Sequence, residues 1–141
     1  MPSYMHHQLN HPHQSNLNFK TNFKKIAEEF CKQYYTTYDT NIHSLSNFFA
    51  NDVLISFLHD DYIGFSSFKN SIIYHYHAER FIHHGMNVSV QPISDNALVI
   101  NVNGSFSVNY TYNSFNFTET IVLQQNSKGE ICVTNLILKI V

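Results

Sequence analysis

With 141 residues, 43% of them hydrophobic, the chain is long enough for one domain with a packed core and too short for two ordinary ones. Its formal net charge of -2 excludes the clustered basic surface of a nucleic-acid binder, so no direct nucleic-acid contact is expected. No apolar run approaches the roughly 20 residues of a membrane helix, and the N-terminus lacks the apolar centre of a secretory signal, which reads as an intracellular protein without membrane contact.

The first stretch, Met1 to Asn18, is rich in His, Asn, Gln and Pro and has no apolar period. This predicts a disordered polar tail over 1–18, followed by a single domain over 19–141. His6, His7, His11 and His13 read as part of that solvated tail rather than as a metal site. From Phe23 the pattern changes: Phe23, Ile26, Ala27, Phe30, Tyr34 and Tyr38 recur at helical spacing, with Lys24, Lys25, Glu28, Glu29, Lys32 and Gln33 on the other face. The spacing predicts an amphipathic helix to about Asp39, capped by Thr21 or Asn22, with a wide aromatic stripe to bury. Cys31 and Cys132 stand far apart and read as two reduced core thiols.

Asn41 to Phe49 predicts a short second helix, with Asp39 or Asn41 as its cap. Val53 to Leu58 predicts a strand, and His59 to Asp61 a polar turn before Tyr62 and Ile63. After Gly64, Phe65, Phe68, Ile72 and Tyr76 predict a third helix over about Ser66 to Glu79. Everything from Met86 onward reads as sheet: Met86 to Gln91, Leu98 to Tyr110, Phe115 to Gln125, and Ile131 to Ile140, joined by turns short enough for antiparallel hairpins.

Leu98 to Tyr110 organises the rest. Leu98, Ile100, Val102, Phe106, Val108 and Tyr110 alternate with polar residues, and Gly104 occupies the one apolar slot left empty. A glycine inside a long strand marks a bend or a bulge, so a curved sheet filled by the first helix is expected. The element order is α+β, with helices covering one face of the sheet. The last strand reads as apolar on both sides: Ile131, Val133 and Ile137 on one, Cys132, Leu136, Leu138 and Ile140 on the other. With one side covering the helices, the face carrying Ile131, Val133 and Ile137 is the expected dimer face, for a homodimer or a heterodimer.

Three groups of residues could carry chemistry. Tyr34, Tyr38 and Asp39 form one set, in which a tyrosine hydroxyl stabilises an oxyanion and a carboxylate moves a proton; the simpler reading is that the tyrosines fill the sheet and Asp39 caps a helix. Glu119 stands on an apolar face among Phe117, Ile121 and Leu123, where a carboxylate needs a donor or a proton. His75, His77, His83 and His84 have no spacing resembling a zinc site, so no metal is expected. Nor is there a glycine-rich phosphate loop or a nucleophile elbow, and no cofactor is expected.

Taken together, the residues from about Phe23 to Val141 resemble the nuclear transport factor 2 family. Phe30, Tyr34, Tyr35, Tyr38 and Asp39 read as the F-x-x-x-Y-Y-x-x-Y-D of that family's first helix, followed by Leu45, Phe49 and the aromatic-x-glycine of Tyr62 to Gly64. Val102 and Gly104 are similar to its V-x-G. Phe117, Glu119, Ile121 and Leu123 are similar to F-x-Q-x-F-x-L with Glu119 at the Gln, and Asn135 to Lys139 is similar to N-D-x-F-R. The resemblance implies a cone: a strongly curved antiparallel sheet wrapped around the long N-terminal helix, with two further helices, often dimerising through the sheet. It also implies binding of Ran-GDP and of nucleoporin Phe-Gly repeats, or service as the small subunit of an mRNA-export receptor, in cytoplasm and nucleus at the nuclear pore. Asp60, Asp61 and Tyr62 are the partner-binding candidates it implies. Leu58 stands where the family has a Ran-facing acid, and Asn109 to Ser114 carries no acid where the family has an acidic loop, so weak Ran-GDP binding is expected. Isomerases and dehydratases also use this cone, and for them Tyr34, Tyr38, Asp39 and Glu119 are the implied catalytic set.

Overall fold

The computed structural model describes residues 18–141, so the polar tail lies, apart from Asn18, outside the described residues. Helix α1 runs Phe19–Thr40 and buries Phe19, Ile26, Ala27, Phe30, Cys31, Tyr34, Tyr35 and Tyr38. Asn18 provides the N-cap, its side-chain oxygen accepting from the Lys20 N–H at 2.8 Å. The helix therefore starts earlier than the aromatic spacing suggests, and Asn22, one of the expected caps, sits inside it with non-helical angles as a kink. Asn41 ends α1 and opens a 3-10 helix over Ile42–Phe48, its side chain accepting from the His43 N–H at 3.1 Å.

Six strands follow: β1 (Phe49–Phe57), β2 (Asp60–Ile63), β3 (Phe81–Ser94), β4 (Ala97–Val108), β5 (Ser114–Gln125) and β6 (Ile131–Ile140). Between β2 and β3 lies α2 (Phe65–Asn70), which continues as a π-helical turn over Ser71–His75. The third helix thus stops short of Glu79; Tyr76 closes it and His77 takes a left-handed φ of 54°. The expected polar turn is also shorter, because Asp60 and Asp61 already pair with Phe57 and Ser56 as strand β2. Strand order is β2-β1-β6-β5-β4-β3, with β3 to β6 an antiparallel meander and β1 parallel to β6. That one parallel pair makes the sheet mixed, and it arises because β6 returns from the meander to lie beside the first strand of the chain.

The inward face of β4 is the one its alternation implies: Leu98, Ile100, Val102 and Phe106 are all buried against α1. Gly104 is empty because β3 presses onto it. The β3–β4 pairing slips by one residue between His84/Ser105 and Asn87/Asn103. At this bulge Gly85 has φ 64°, and a Cβ on Gly104 would stand 2.8 Å from Met86 Cγ and 3.2 Å from the His84 carbonyl oxygen. The bulge bends the long β3–β4 ribbon over the helix.

A second bulge corrects the reading of β6. Leu123 pairs with Val133 but Val122 pairs with Asn135, so Thr134 is an extra residue. A one-residue slip exchanges the two faces of a strand. Ile131 and Val133 therefore face the core together with Leu136 and Leu138, and all four are buried. Of the three residues expected on a dimer face, Ile137 alone points outward and is exposed; exposed Leu54, paired with Asn135 two residues before it, and Ile63, paired with Leu54, share that face.

Crowding at Gly104 makes it the most sensitive position for bending the sheet. Gly104→Val is expected to destabilise the domain by about 1–3 kcal/mol in urea denaturation, the usual range for overpacking. Met86→Ala in the same chain should recover only part of the loss, since the His84 carbonyl is backbone and stays in place.

Candidate functional site

Two sites emerge, one between α1 and the sheet and one at the mouth of the cone. The inner one is built on two adjacent stripes of α1. Phe30, Tyr34 and Tyr38 form the first, with the Tyr34 ring 5.2 Å from Phe30 and 5.7 Å from Tyr38. Cys31, Tyr35 and Asp39, again four residues apart, form the second and meet β3 and β5. Tyr35 donates its hydroxyl to Glu119 Oε1 at 2.6 Å. Asp39 takes two bonds from His83: its Oδ2 accepts from the backbone N–H at 2.9 Å, and its Oδ1 lies 2.6 Å from ring Nδ1. The His83 ring packs 4.9 Å from Tyr35, 4.7 Å from Tyr38 and 5.5 Å from Phe117.

This arrangement differs from the expected set. Glu119 meets Tyr35, and the buried Tyr34 hydroxyl has no hydrogen-bond partner among the described residues. Asp39 ties α1 to β3, while the helix cap belongs to Asn41. The residues that sequence reasoning missed are Tyr35 and His83; the repeat of polar-tipped residues at 31, 35 and 39 was the signal for the first. Burial pushes the Glu119 carboxyl up to about 7, against a smaller pull from the Tyr35 hydrogen bond. Burial first, and then the Glu119 charge, raise the Tyr34, Tyr35 and Tyr38 hydroxyls and push the Cys31 thiol up to about 12. Such groups have the chemistry for proton transfer. Access is uneven: Glu119 is 1% exposed and the His83 side chain is equally enclosed, whereas Asp39 is partly exposed and, with Cys31, Tyr35 and Met86, borders an open cleft of about 380 Å³ between α1 and β3.

At the mouth, Phe57, Leu58, Ile72, Phe81, Phe106 and Phe115 line an open pocket of about 250 Å³, with Tyr76 and Ile140 at its edge. Tyr76 donates its hydroxyl to Asp60 Oδ2 at 3.4 Å, which sets one acid on the rim. Asp61 lies on the opposite face of β2, where its Oδ1 accepts from the Ser56 hydroxyl at 2.6 Å. Tyr62 is half-buried, its hydroxyl 2.6 Å from that of Ser71. Strand alternation therefore puts Asp61 on the face opposite Asp60 and Tyr62, and the two acids do not form one surface. Beside the pocket, Tyr112 is fully open to solvent and Tyr110 is exposed, with the Arg80 guanidinium 5.6 Å from the Tyr110 ring centroid. The four histidines from 75 to 84 also go separate ways: His75 and His77 are exposed, His83 is inside, and His84 reaches Ser114 at 3.5 Å.

Comparison with known proteins places this geometry. The model of the nuclear transport factor 2 (NTF2) domain matches residues 26–140. No curated protein sequence matches the chain. Nuclear transport factor 2 from Cryptosporidium parvum superposes with a TM-score of 0.75 at 20% identity, over 89% of this chain and 98% of that one. Yeast UBP3-associated protein BRE5 superposes with a TM-score of 0.66 at 17% identity, over 84% of this chain and 96% of that one. A ketosteroid isomerase-like protein from Erwinia carotovora atroseptica gives 0.66 at 11% identity, over 82% and 93%. The fold is thus shared by chains named for transport, for association with another protein and for isomerase likeness. With the family model covering nearly the whole described region, this chain belongs to the nuclear transport factor 2 domain family.

Proposed function

We propose that the chain is a non-enzymatic protein-binding domain of nucleocytoplasmic transport, working in cytoplasm and nucleus. Its mouth pocket receives an apolar side chain of the partner, and the outer face of its sheet pairs it with a second subunit. The observation that carries this reading is the division between the two sites. Glu119 is fully buried, whereas the open mouth pocket is apolar and has no acid among the residues that line it. A pocket of that kind binds a side chain or small apolar group by desolvation and offers no proton acceptor for catalysis. The runner-up, an isomerase or dehydratase, draws on Glu119 beside Tyr35 and on the Asp39–His83 pair; the enclosure of Glu119 and of the His83 ring weighs against it, while the open cleft bordered by Tyr35 and Asp39 is the feature in its favour.

Ran-GDP, nucleoporin Phe-Gly repeats and an mRNA-export receptor are the partners this reading carries over from the family. Among them the mouth suits aromatic repeats best. Asp60 is the single rim acid tied to the pocket, and Tyr110 and Tyr112 occupy the loop where the family keeps acids. Recognition of a basic GTPase surface depends on carboxylates at fixed positions. Subunit pairing rests on Leu54, Ile63 and Ile137, with half-buried Val99 and Val122 continuing the patch across the sheet.

Calorimetry with a Phe-Gly repeat peptide and with Ran-GDP tests the partner. Peptide binding abolished by Phe115→Asp is expected, with Ran-GDP binding at least tenfold weaker than that of an authentic transport factor in the same buffer. Micromolar or tighter Ran-GDP binding that disappears in the double variant Asp60→Ala, Asp61→Ala would reverse the order of partners. Light scattering tests the pairing: the full chain should show twice its 16.4 kDa, falling to the single mass in Ile137→Asp. A monomer at micromolar concentration would instead assign the outer face to a different subunit.

A further inference from the structure

The rim of the mouth holds a cation with no internal partner. Arg80 stands just before β3, with its guanidinium 5.6 Å from the Tyr110 ring centroid. A guanidinium keeps its charge at any ordinary pH. Yet Arg80 makes no ion pair among the described residues, not even with Glu79 beside it in the chain. Its Nε is buried and has no hydrogen-bond acceptor among the described residues. A buried donor left unmet costs stability that an acceptor restores, most strongly when the acceptor is an anion. The backbone under Arg80 is also held firmly. Asn109, just past β4, accepts through Oδ1 from the N–H groups of Glu79 at 3.0 Å and Arg80 at 3.2 Å. In return it donates its own N–H to the Arg80 carbonyl at 2.8 Å and its side-chain amide to the His77 carbonyl at 2.6 Å. Asn109 and Tyr110 both take left-handed φ angles, 52° and 59°, and this turn carries the Tyr110 ring to the guanidinium.

We propose that Arg80 is an anion-recognition element of the mouth, and that the partner is an acidic segment: it inserts an aromatic side chain among Phe81, Phe106 and Phe115 and sets a neighbouring carboxylate against the guanidinium. The inference rests on the reading of the mouth as a docking pocket and narrows what docks there. Ala78 and Phe81, on either side of Arg80 in the chain, line the pocket. Consecutive residues of a segment stand about 3.8 Å apart, so the acid belongs one or two positions from the inserted ring. Charge gives the segment a direction. Lys139 brings a second cation to the pocket edge, its Nζ donating to the Leu58 carbonyl at 3.2 Å. Asp60, bonded to Tyr76, belongs to β2, at the other end of the strand order from β3. An acid is therefore favoured on the β3 side and repelled beside Asp60, and a basic segment meets the reverse. Tyr110 supplies the platform, since an aromatic face attracts a guanidinium and leaves the edge of its plane free for a carboxylate.

Calorimetry of the full chain with two Phe-Gly repeat peptides, alike except that Asp or Asn precedes each Phe, tests the assignment. The wild type is expected to prefer the Asp peptide by about fivefold to twentyfold at low salt, with the preference narrowing as salt is added. Arg80→Gln should bind both peptides as the wild type binds the Asn peptide. Arg80→Lys should keep part of the preference, because an ammonium lacks the planar fork that meets both carboxylate oxygens. Equal affinities in the wild type, or a preference that survives in Arg80→Gln, would overturn the proposal and leave the mouth a docking pocket. Binding of neither peptide would overturn it together with that reading. The first comparison needs the wild type alone, so it decides whether or not the variants fold.

Discussion

The enclosure of α1 governs this structure. A helix of 22 residues that buries eight side chains, four of them large aromatics on the two stripes facing the sheet, cannot be covered by a flat sheet on one side. Each such side chain contributes roughly 1.5–3 kcal/mol only if it is fully removed from water. The sheet meets that demand by bending, and it bends where backbone replaces side chain: at Gly104, under the bulge of Gly85 and Met86. Curvature, in this chain, follows from an aromatic helix that needs three sides of cover.

The same demand divides polar from apolar surface. Closing the sheet over the second stripe of α1 draws Glu119 and His83 inward along with their hydrophobic neighbours, and each reaches a partner on the helix. What remains open is the end of the cone beyond the last turn of α1, where Phe57, Phe106 and Phe115 line a space the helix does not fill. The mouth is apolar because it continues the core. Recognition there is a matter of what the partner inserts, with Asp60 and the exposed tyrosines of the β4–β5 loop framing the entrance.

Much of this was legible in the residues. The helical spacing of Phe30, Tyr34 and Tyr38 and the alternation from Ile100 to Val108 state the two main elements and their inward faces, because period alone assigns those faces. The bulge in β6 breaks that rule without a compositional mark, unlike the one that Gly85 and Gly104 flag. Thr134 looks like any strand residue, yet it exchanges the faces of β6, burying Ile131 and Val133 and leaving Ile137 outside. The inner site was half legible. Glu119 announced itself as a carboxylate on an apolar face, but its partner lay 84 residues away on a stripe adjacent to the obvious one. His83 was hidden by its neighbours, since four histidines within ten residues look alike until the fold sends them in different directions.

Asp39 has a consequence beyond joining α1 to β3. Strand β3 is a free edge of the sheet, 14 residues long, and His83 directs its backbone N–H away from β4 to the carboxylate of Asp39. An incoming strand would need that N–H for its first rung. Further along, the bulge at Met86 breaks the register, and Pro92 has no N–H to offer. Between them these features leave only a short run around Val88 able to pair. A sequence this rich in asparagine and β-branched residues, with an open edge, has the makings of a template for fibrous self-association; the carboxylate at the end of α1 is one of the groups that keep that edge from propagating.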